Sequence, residues 1–216
     1  MVRCASLVVL LVAPAMAWGQ ADAGVQEKPP VEAEETPWAF GASISGYIFP
    51  SQKDYAQPVV TVDHSFLHLE GRYNYEAQQT GSLWVGWNFE WGTTVTFALT
   101  PIVGGVFGSL NGLGAGAEWT LAWGPLSWSS QLEFVFDLED SSGDYFYIWS
   151  EFAGQPVSWL SLGLAIQRSR TVAEPRWVHW GPLLGFSVWK LSLTGYWFNP
   201  GQSDAQYWVV TLGVSF

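Results

Sequence analysis

Residues 207–216 read YWVVTLGVSF, and this stretch decides the fold. Every second residue from Trp208 to Phe216 is apolar, whereas the residues between them mix Tyr, Val, Thr, Gly and Ser. Successive side chains of a β-strand point to opposite faces, so the alternation predicts a strand with one wholly apolar face.

A strand with this alternation and an aromatic last residue resembles the C-terminal strand of Gram-negative outer-membrane β-barrel proteins, which their barrel-insertion machinery recognises. The resemblance covers this strand closely and the rest of the chain only in pattern. It implies an insertion signal formed by Trp208, Val210, Leu212, Val214 and Phe216. It also implies a bacterial outer-membrane location, with outer-membrane lipid and lipopolysaccharide as the surroundings.

The N-terminal residues divide into two segments. Residues 1–17 have an early arginine, Arg3, then an apolar run that ends in Ala-Met-Ala, which predicts a cleaved signal peptide. The run is shorter than the roughly 20 residues of a spanning helix. Cys4 is the one cysteine, so cleavage leaves no thiol. Residues 18–37 are rich in Ala, Glu and Pro and predict a disordered periplasmic tail before a barrel over 38–216.

The composition agrees with a membrane barrel. Fifteen Trp, thirteen Phe and eight Tyr occur in 216 residues, yet no stretch after the leader reaches 18 unbroken apolar residues. In the sequence of a membrane β-barrel, the spanning strands show alternating apolar and polar residues rather than a continuous apolar stretch. The formal charge of −11 argues against a nucleic-acid partner, because phosphates need Lys and Arg.

Turn residues and alternation predict an all-β, up-and-down antiparallel barrel of twelve strands, with ten as the alternative, since residues 58–76 also read as one long strand. Long loops of bacterial barrels face outward and short turns face the periplasm. Long and short connections alternate here only if Asp63-His64 is a tight turn, and this alternation favours twelve. The predicted strands are 38–49, 55–62, 66–76, 82–91, 93–103, 114–123, 126–137, 144–152, 157–167, 176–189, 191–198 and 206–216.

Aromatic residues at the strand ends predict two interfacial belts. The periplasmic belt consists of Trp91, Trp123, Trp128 and Phe216. The outer belt consists of Tyr73, Tyr75, Trp197 and Trp208.

The strand residues that alternate with the apolar ones predict a polar lumen in which acids outnumber bases. Glu118 is expected opposite Gln131 across the tight turn at Gly124-Pro125. Glu70 and Arg72, two residues apart on one face, are expected to pair. The predicted lumen-lining residues are His68, Glu70, Arg72, Asn74, Asn88, Glu90, Glu118, Gln131, Glu133, Glu151, Gln167 and His179.

These residues favour a narrow channel with an acidic lumen for cations or small solutes. The alternative is a non-conducting structural or envelope-assembly barrel, whose lumen is closed by paired charges. Small twelve-stranded channels for acidic oligosaccharides line their pores with arginines, and this sequence departs from them.

Catalytic and metal signals are weak in the sequence. His68 beside Glu70 is the one general-base pairing, which leaves a lipid-modifying outer-membrane enzyme as a third hypothesis. No cluster of His, Asp and Glu has metal-ligand spacing, so no metal or other cofactor is predicted. Arg168, Arg170 and Arg176 lie in or beside a predicted outer loop, where arginine geometry suits the phosphates of lipopolysaccharide.

Overall fold

The computed structural model describes residues 37–171 and 177–216. This part of the chain forms thirteen strands and one short 3₁₀ turn, Ser141–Gly143. No helix in these two ranges is long and apolar enough to span a membrane. The strands are β1 (Ala39–Ile48), β2 (Tyr55–His64), β3 (Leu67–Tyr73), β4 (Thr80–Trp87), β5 (Phe89–Trp91), β6 (Val95–Gly108), β7 (Gly112–Trp123), β8 (Leu126–Asp137), β9 (Tyr145–Val157), β10 (Leu160–Thr171), β11 (Trp177–Val188), β12 (Leu191–Phe198) and β13 (Tyr207–Ser215).

The strands close into a twelve-stranded antiparallel barrel. Neighbours along the chain pair with each other, except β4 with β5, and β1 pairs with β13 to close the ring. Phe40 and Phe216 exchange two backbone hydrogen bonds of 3.2 and 2.8 Å at this seam. Strands β4 and β5 both pair with β6 and occupy one position of the ring. The expectation of twelve strands is therefore confirmed, and ten is wrong.

The interruption between β4 and β5 has a local cause. The two strands follow one register against β6, and this register brings Trp87 opposite Pro101. Proline has no N–H to donate to the ladder. Asn88, the residue at the break, instead donates its backbone N–H to the Phe66 carbonyl at 2.7 Å.

The alternation of faces follows the predicted parity. Leu83, for example, is 64% exposed on the outer wall, whereas its neighbour Trp84 is 3% exposed inside the barrel. The apolar set of the last strand, including Trp208, Leu212 and Phe216, also lies on the outer wall. A backbone in lipid must satisfy its hydrogen bonds internally, and closure of the ring achieves this.

Several predicted boundaries are wrong. β2 continues through Asp63 and His64, because Asp63 pairs with His68 and the tight turn lies at residues 65–66. β9 continues through Gln155 and Pro156 to Val157, and the turn lies at residues 158–159, with a register shift next to it. Proline did not mark the turn here because edge and bulge positions of a ladder tolerate it.

The predicted signal peptide, nearly all of the predicted tail, and Arg176 lie outside the described residues.

Candidate functional site

Arg72 on β3 stands at the centre of a cluster of carboxylates inside the barrel. It donates from Nη1 to Glu133 Oε2 at 2.5 Å and from Nη2 to Glu70 Oε2 at 2.8 Å. Glu76 and Glu118 oxygens lie 3.5 and 3.7 Å from the guanidinium. The expected pair of Glu70 and Arg72 is present, and the guanidinium also reaches Glu133 on β8, three ring positions beyond the neighbouring strand β4. A guanidinium suits this role because its planar fork offers five donors.

Two aromatic rings flank the guanidinium. The Tyr75 and Trp84 ring centroids lie 4.4 and 4.8 Å from the Arg72 guanidinium carbon, within the range of a cation–π contact. Trp84 lies flat against the inner wall, because a Cβ added at Gly104 or Gly114 would overlap its indole ring. The two glycines thus make room for the ring that orients Arg72.

The outer loop between β3 and β4 folds into the lumen and brings Tyr75 and Glu76 to Arg72. Both residues are buried at 6% exposure, so the prediction of Tyr75 in the outer belt is wrong. The residue after Arg72 on β3, Tyr73, would pair with Pro58 of β2. Proline offers no N–H, and the ladder between β2 and β3 ends there. Asn74 then adopts a left-handed φ of 55°, which reverses the strand parity.

Hydrogen bonds hold this loop in place. Asn74 Oδ1 accepts from the Gln79 N–H at 2.7 Å, and its Nδ2 donates to the Ala56 carbonyl at 3.0 Å. Glu76 accepts from the Ser82 hydroxyl at 2.7 Å and from the Trp84 indole at 3.2 Å. The inward position is therefore a specified conformation of the loop.

Gln131 connects the loop to the opposite wall. The Tyr75 hydroxyl donates to Gln131 Oε1, and Gln131 Nε2 donates to Glu118 at 3.0 Å. Glu118 is the backbone partner of Gln131 in the ladder, as the tight turn at Gly124-Pro125 predicts.

A second hydrogen-bonded chain lies on the side of Arg72 nearer the short turns, which the sequence predicts to face the periplasm. His68 Nδ1 is 2.7 Å from Asp63 Oδ1. A carboxylate can only accept, so Nδ1 carries the proton. Asp63 also accepts from Asn88 Nδ2 at 2.9 Å, and Asn88 accepts from the Thr100 hydroxyl at 2.7 Å. His68 Nε2 is directed towards Glu70 Oε2, 3.6 Å away.

The far side of the lumen is filled by an aromatic cluster. The Trp149 ring packs edge-on against Tyr196 and Phe198, with centroids 5.3 and 5.2 Å away. Phe198 in turn stacks on Tyr207 at 4.9 Å. Glu151 accepts from the Trp149 indole at 3.1 Å, so this carboxylate is buried beside the cluster.

The lumen is wider on both sides of the layer that contains Arg72 and its carboxylates. Towards the outer loops lies a polar cavity of about 190 Å³, lined by four tyrosines, three glutamines, Asn74 and Glu76. Towards the periplasm the inward side chains are small and partly exposed, namely Ser43, Thr96, Thr120, Ser129, Ala153, Ser161, Ser187 and Ser192. Twelve strands enclose more space than such residues fill. Among the described residues, the Arg72 cluster and the aromatic cluster around Trp149 and Phe198 together fill the middle of the lumen.

The predicted lumen residues fall into three groups. The structure brings His68, Glu70, Arg72, Glu118, Gln131 and Glu133 together, with Asn88 joined through Asp63. Asn74 and Gln167 line the outer cavity, where Gln167 accepts from Tyr207 at 2.7 Å. Away from Arg72 are Glu90, which is exposed near the periplasmic end, Glu151, and His179, which bonds with Asn199 at 2.6 Å.

The cluster also includes residues that the sequence did not single out. Asp63 was assigned to a turn, and Tyr75 to the lipid face. Trp84 has the inward parity of its strand, but nothing in the sequence distinguishes an aromatic residue that contacts Arg72 from the other aromatic residues of the barrel strands.

Two of the three arginines proposed to contact lipopolysaccharide lie in the described residues. Arg168 and Arg170 continue the outward parity of Ile166 near the outer end of β10. The Arg168 guanidinium carbon lies 5.5 Å from the centroid of the outward-facing Phe146 ring. Both arginines thus lie on the wall that faces lipid, close to the outer loops.

Comparisons with known proteins show the fold. No protein-family model matches the chain, and no curated protein matches its sequence. Two solved structures of a KdgM porin, one in complex with disordered oligogalacturonate, superpose with TM-scores of 0.54. Identity is 10% and 11%, over 82% of this chain and 98% of the porin in both cases. OccK5 of Pseudomonas aeruginosa is a weaker match, with a TM-score of 0.45, 10% identity, and coverage of 86% of this chain and 68% of that protein.

The closed ring, the apolar outer wall and the likeness to the KdgM porin give the chain the fold of outer-membrane β-barrels. Within this class it has twelve strands and a charged lumen centred on Arg72.

Proposed function

We propose that the protein is a narrow outer-membrane channel for small cations and small neutral solutes, and that the conformation described is its closed state. The observation that carries the proposal is the charged layer at Arg72. It lies between a polar outer cavity and a periplasmic half that is lined by small side chains. A path for solutes is thus interrupted by this layer and by the aromatic cluster around Trp149 beside it.

The charge of the closing layer favours cations. Four carboxylates lie within 3.7 Å of the single guanidinium, and Asp63 is linked to them through His68. Rings of acidic side chains favour cations in channels, and the same excess opposes anions.

The neighbours support a channel through their fold alone. The KdgM porin was solved with oligogalacturonate, which is an acidic sugar, and this concerns that protein. For the present chain the acidic layer argues against such a substrate, so we propose small cations and neutral solutes instead.

The inward loop is the element that opens the channel. Tyr75 and Glu76 occupy the lumen without being part of the barrel wall, so they can leave it without breaking the ladder. A shift of this loop towards the outer side would remove one ring and one carboxylate from Arg72.

Single-channel recording from the refolded barrel in a planar bilayer, under a salt gradient, tests the proposal. We expect small cation-selective steps, larger steps for the double variant Tyr75→Ala/Glu76→Ala, and reduced cation preference for Glu118→Gln. Gln52→Ala, an exposed change in the loop between β1 and β2 and outside the cavity lining, is the control and should behave as wild type. A folded barrel that stays silent in the wild type and in the double variant would refute a channel.

A non-conducting structural barrel is the second candidate, and the burial of the charged layer favours it. The side chains of Arg72, Glu76 and Glu133 have 0% exposure. Paired and hydrogen-bonded charges are how a closed interior accommodates ions. Silence of the double variant would select this candidate.

A further inference from the structure

We propose that His68, Glu70 and Glu118 bind one divalent transition-metal ion, with zinc as the best fit, on the periplasmic side of Arg72. One ligand atom from each of these residues lies within 4.8 Å of the other two. The three come from β3 and β7, which are not neighbours in the ring, so only the closed barrel brings them together.

The distances suit a small metal ion. Two ligand atoms bound at about 2.1 Å to a tetrahedral zinc ion are about 3.4 Å apart. His68 Nε2 and Glu70 Oε2 are 3.6 Å apart, which is longer than a hydrogen bond and close to that tetrahedral edge. The Glu118 side chain is 15% exposed, and closing the widest allowed separation of 4.8 Å to this edge requires a shift of about 1.4 Å.

The hydrogen bonds of His68 orient it as a metal ligand. Nδ1 donates to Asp63, so in the neutral imidazole Nε2 presents its lone pair to the Glu70 carboxylate. Metal-binding histidines usually donate their other ring nitrogen to a carboxylate in this way. Asp63 is itself held by Asn88 at 2.9 Å, so the ring orientation is fixed before a metal arrives.

The local charge favours a cation at this position. One guanidinium faces Glu70, Glu76, Glu118 and Glu133, and a buried excess of negative charge is costly. Arg72 lies on the outer side of Glu70 and occupies only part of its oxygen lone pairs, since one carboxylate offers about four acceptor sites. Imidazole together with carboxylates favours zinc over magnesium, which prefers oxygen ligands alone.

The sequence did not predict this site. His68 and Glu70 are two residues apart, which is no metal-binding spacing by itself, and Glu118 is distant along the chain. Partial exposure of Glu118 leaves a coordination position for solvent.

Isothermal titration of the refolded barrel with zinc and with magnesium tests the proposal. We expect one zinc ion per barrel, weaker binding of magnesium, and loss of stoichiometric zinc binding in His68→Asn and Glu118→Gln. Asp63→Asn should weaken binding on the order of 10–100-fold, as expected when a ligand loses its supporting carboxylate. Binding is measured directly, so the result is independent of whether the barrel conducts.

Matched controls separate this site from other groups. Glu90→Gln changes an exposed acid near the periplasmic end, and the double variant His64→Asn/His179→Asn removes the other two histidines. All three changes should leave zinc affinity as in wild type. Wild type that binds no zinc up to about 1 mM, or Glu118→Gln with unchanged affinity, would overturn the proposal. If His68→Asn does not refold, Glu118→Gln and the double variant decide the question.

Discussion

Replacing Arg72 by Met measures how strongly the charged layer holds the barrel together. The change removes the guanidinium but keeps an apolar side chain of similar length between the Tyr75 and Trp84 rings. It leaves Glu133, which is fully buried, and Glu70 without their cation.

The expected cost follows from these contacts. Two charge-assisted hydrogen bonds, to Glu133 and Glu70, contribute about 1.5–3 kcal/mol each, although such terms are not additive. Removing one partner of a buried ion pair costs about 3–5 kcal/mol, because the other charge stays buried. We therefore expect Arg72→Met to lower the free energy of unfolding by about 3–5 kcal/mol.

Urea unfolding in lipid vesicles, followed by tryptophan fluorescence, gives this free energy if wild type and variant share one slope. Glu133→Gln keeps the cation and is expected to cost less than Arg72→Met. The double variant Arg72→Met/Glu133→Gln should recover part of the loss, since it removes the unpaired charge. A loss below about 1 kcal/mol for Arg72→Met would refute the reasoning, because solvated ion pairs contribute no more than that.

Three further predictions address other parts of the molecule. Gly114→Ala should destabilise the barrel by about 1–3 kcal/mol in the same urea assay, because the new Cβ overlaps the Trp84 indole. Gly105→Ala is the control: no atom lies within 4 Å of its Cβ, so its free energy of unfolding should stay within about 0.5 kcal/mol of wild type. Asn74→Val should strain a left-handed residue by about 1–2 kcal/mol, release the inward loop and raise single-channel conductance, and unchanged conductance would count against the loop as the closing element. Replacing Arg168, Arg170 and Arg176 together by Ala should lower the lipopolysaccharide that co-purifies with the barrel, and an unchanged amount would exclude this contact.

The wall of the barrel was predictable from the sequence because its signal is local. Alternation with a period of two assigns Leu83 outward and Trp84 inward without knowledge of any distant residue. The pairing of Glu118 with Gln131 was predictable for the same reason, since a two-residue turn sets the register of its hairpin.

The arrangement of side chains at the centre of the lumen was not predictable from the sequence. It depends on closure of the ring and on the sign of the backbone angle φ, and the alternation of side chains along a strand contains neither. Arg72 on β3 meets Glu133 on β8, four ring positions away along the shorter arc and eight along the longer one, so no local strand pairing brings them together. Tyr75 continues the outward parity in sequence, yet the left-handed φ of Asn74 turns it inward. The sequence prediction placed Asp63 in a turn because the actual turn at residues 65–66 contains neither Gly nor Pro to mark the end of β2.

The excess of acids around Arg72 connects the proposals and separates them by experiment. Several carboxylates that face one guanidinium require a further positive charge or water. If water supplies the compensation, Arg72→Met costs less than the roughly 3–5 kcal/mol expected of a dry buried layer. If a bound metal ion supplies the compensating charge, added zinc raises the free energy of unfolding of the wild-type barrel in urea by mass action. The free energy of unfolding of Glu118→Gln then does not change with zinc. If protons supply it, zinc has no effect, and the cost of Arg72→Met falls as acid neutralises the carboxylates that the variant leaves unpaired.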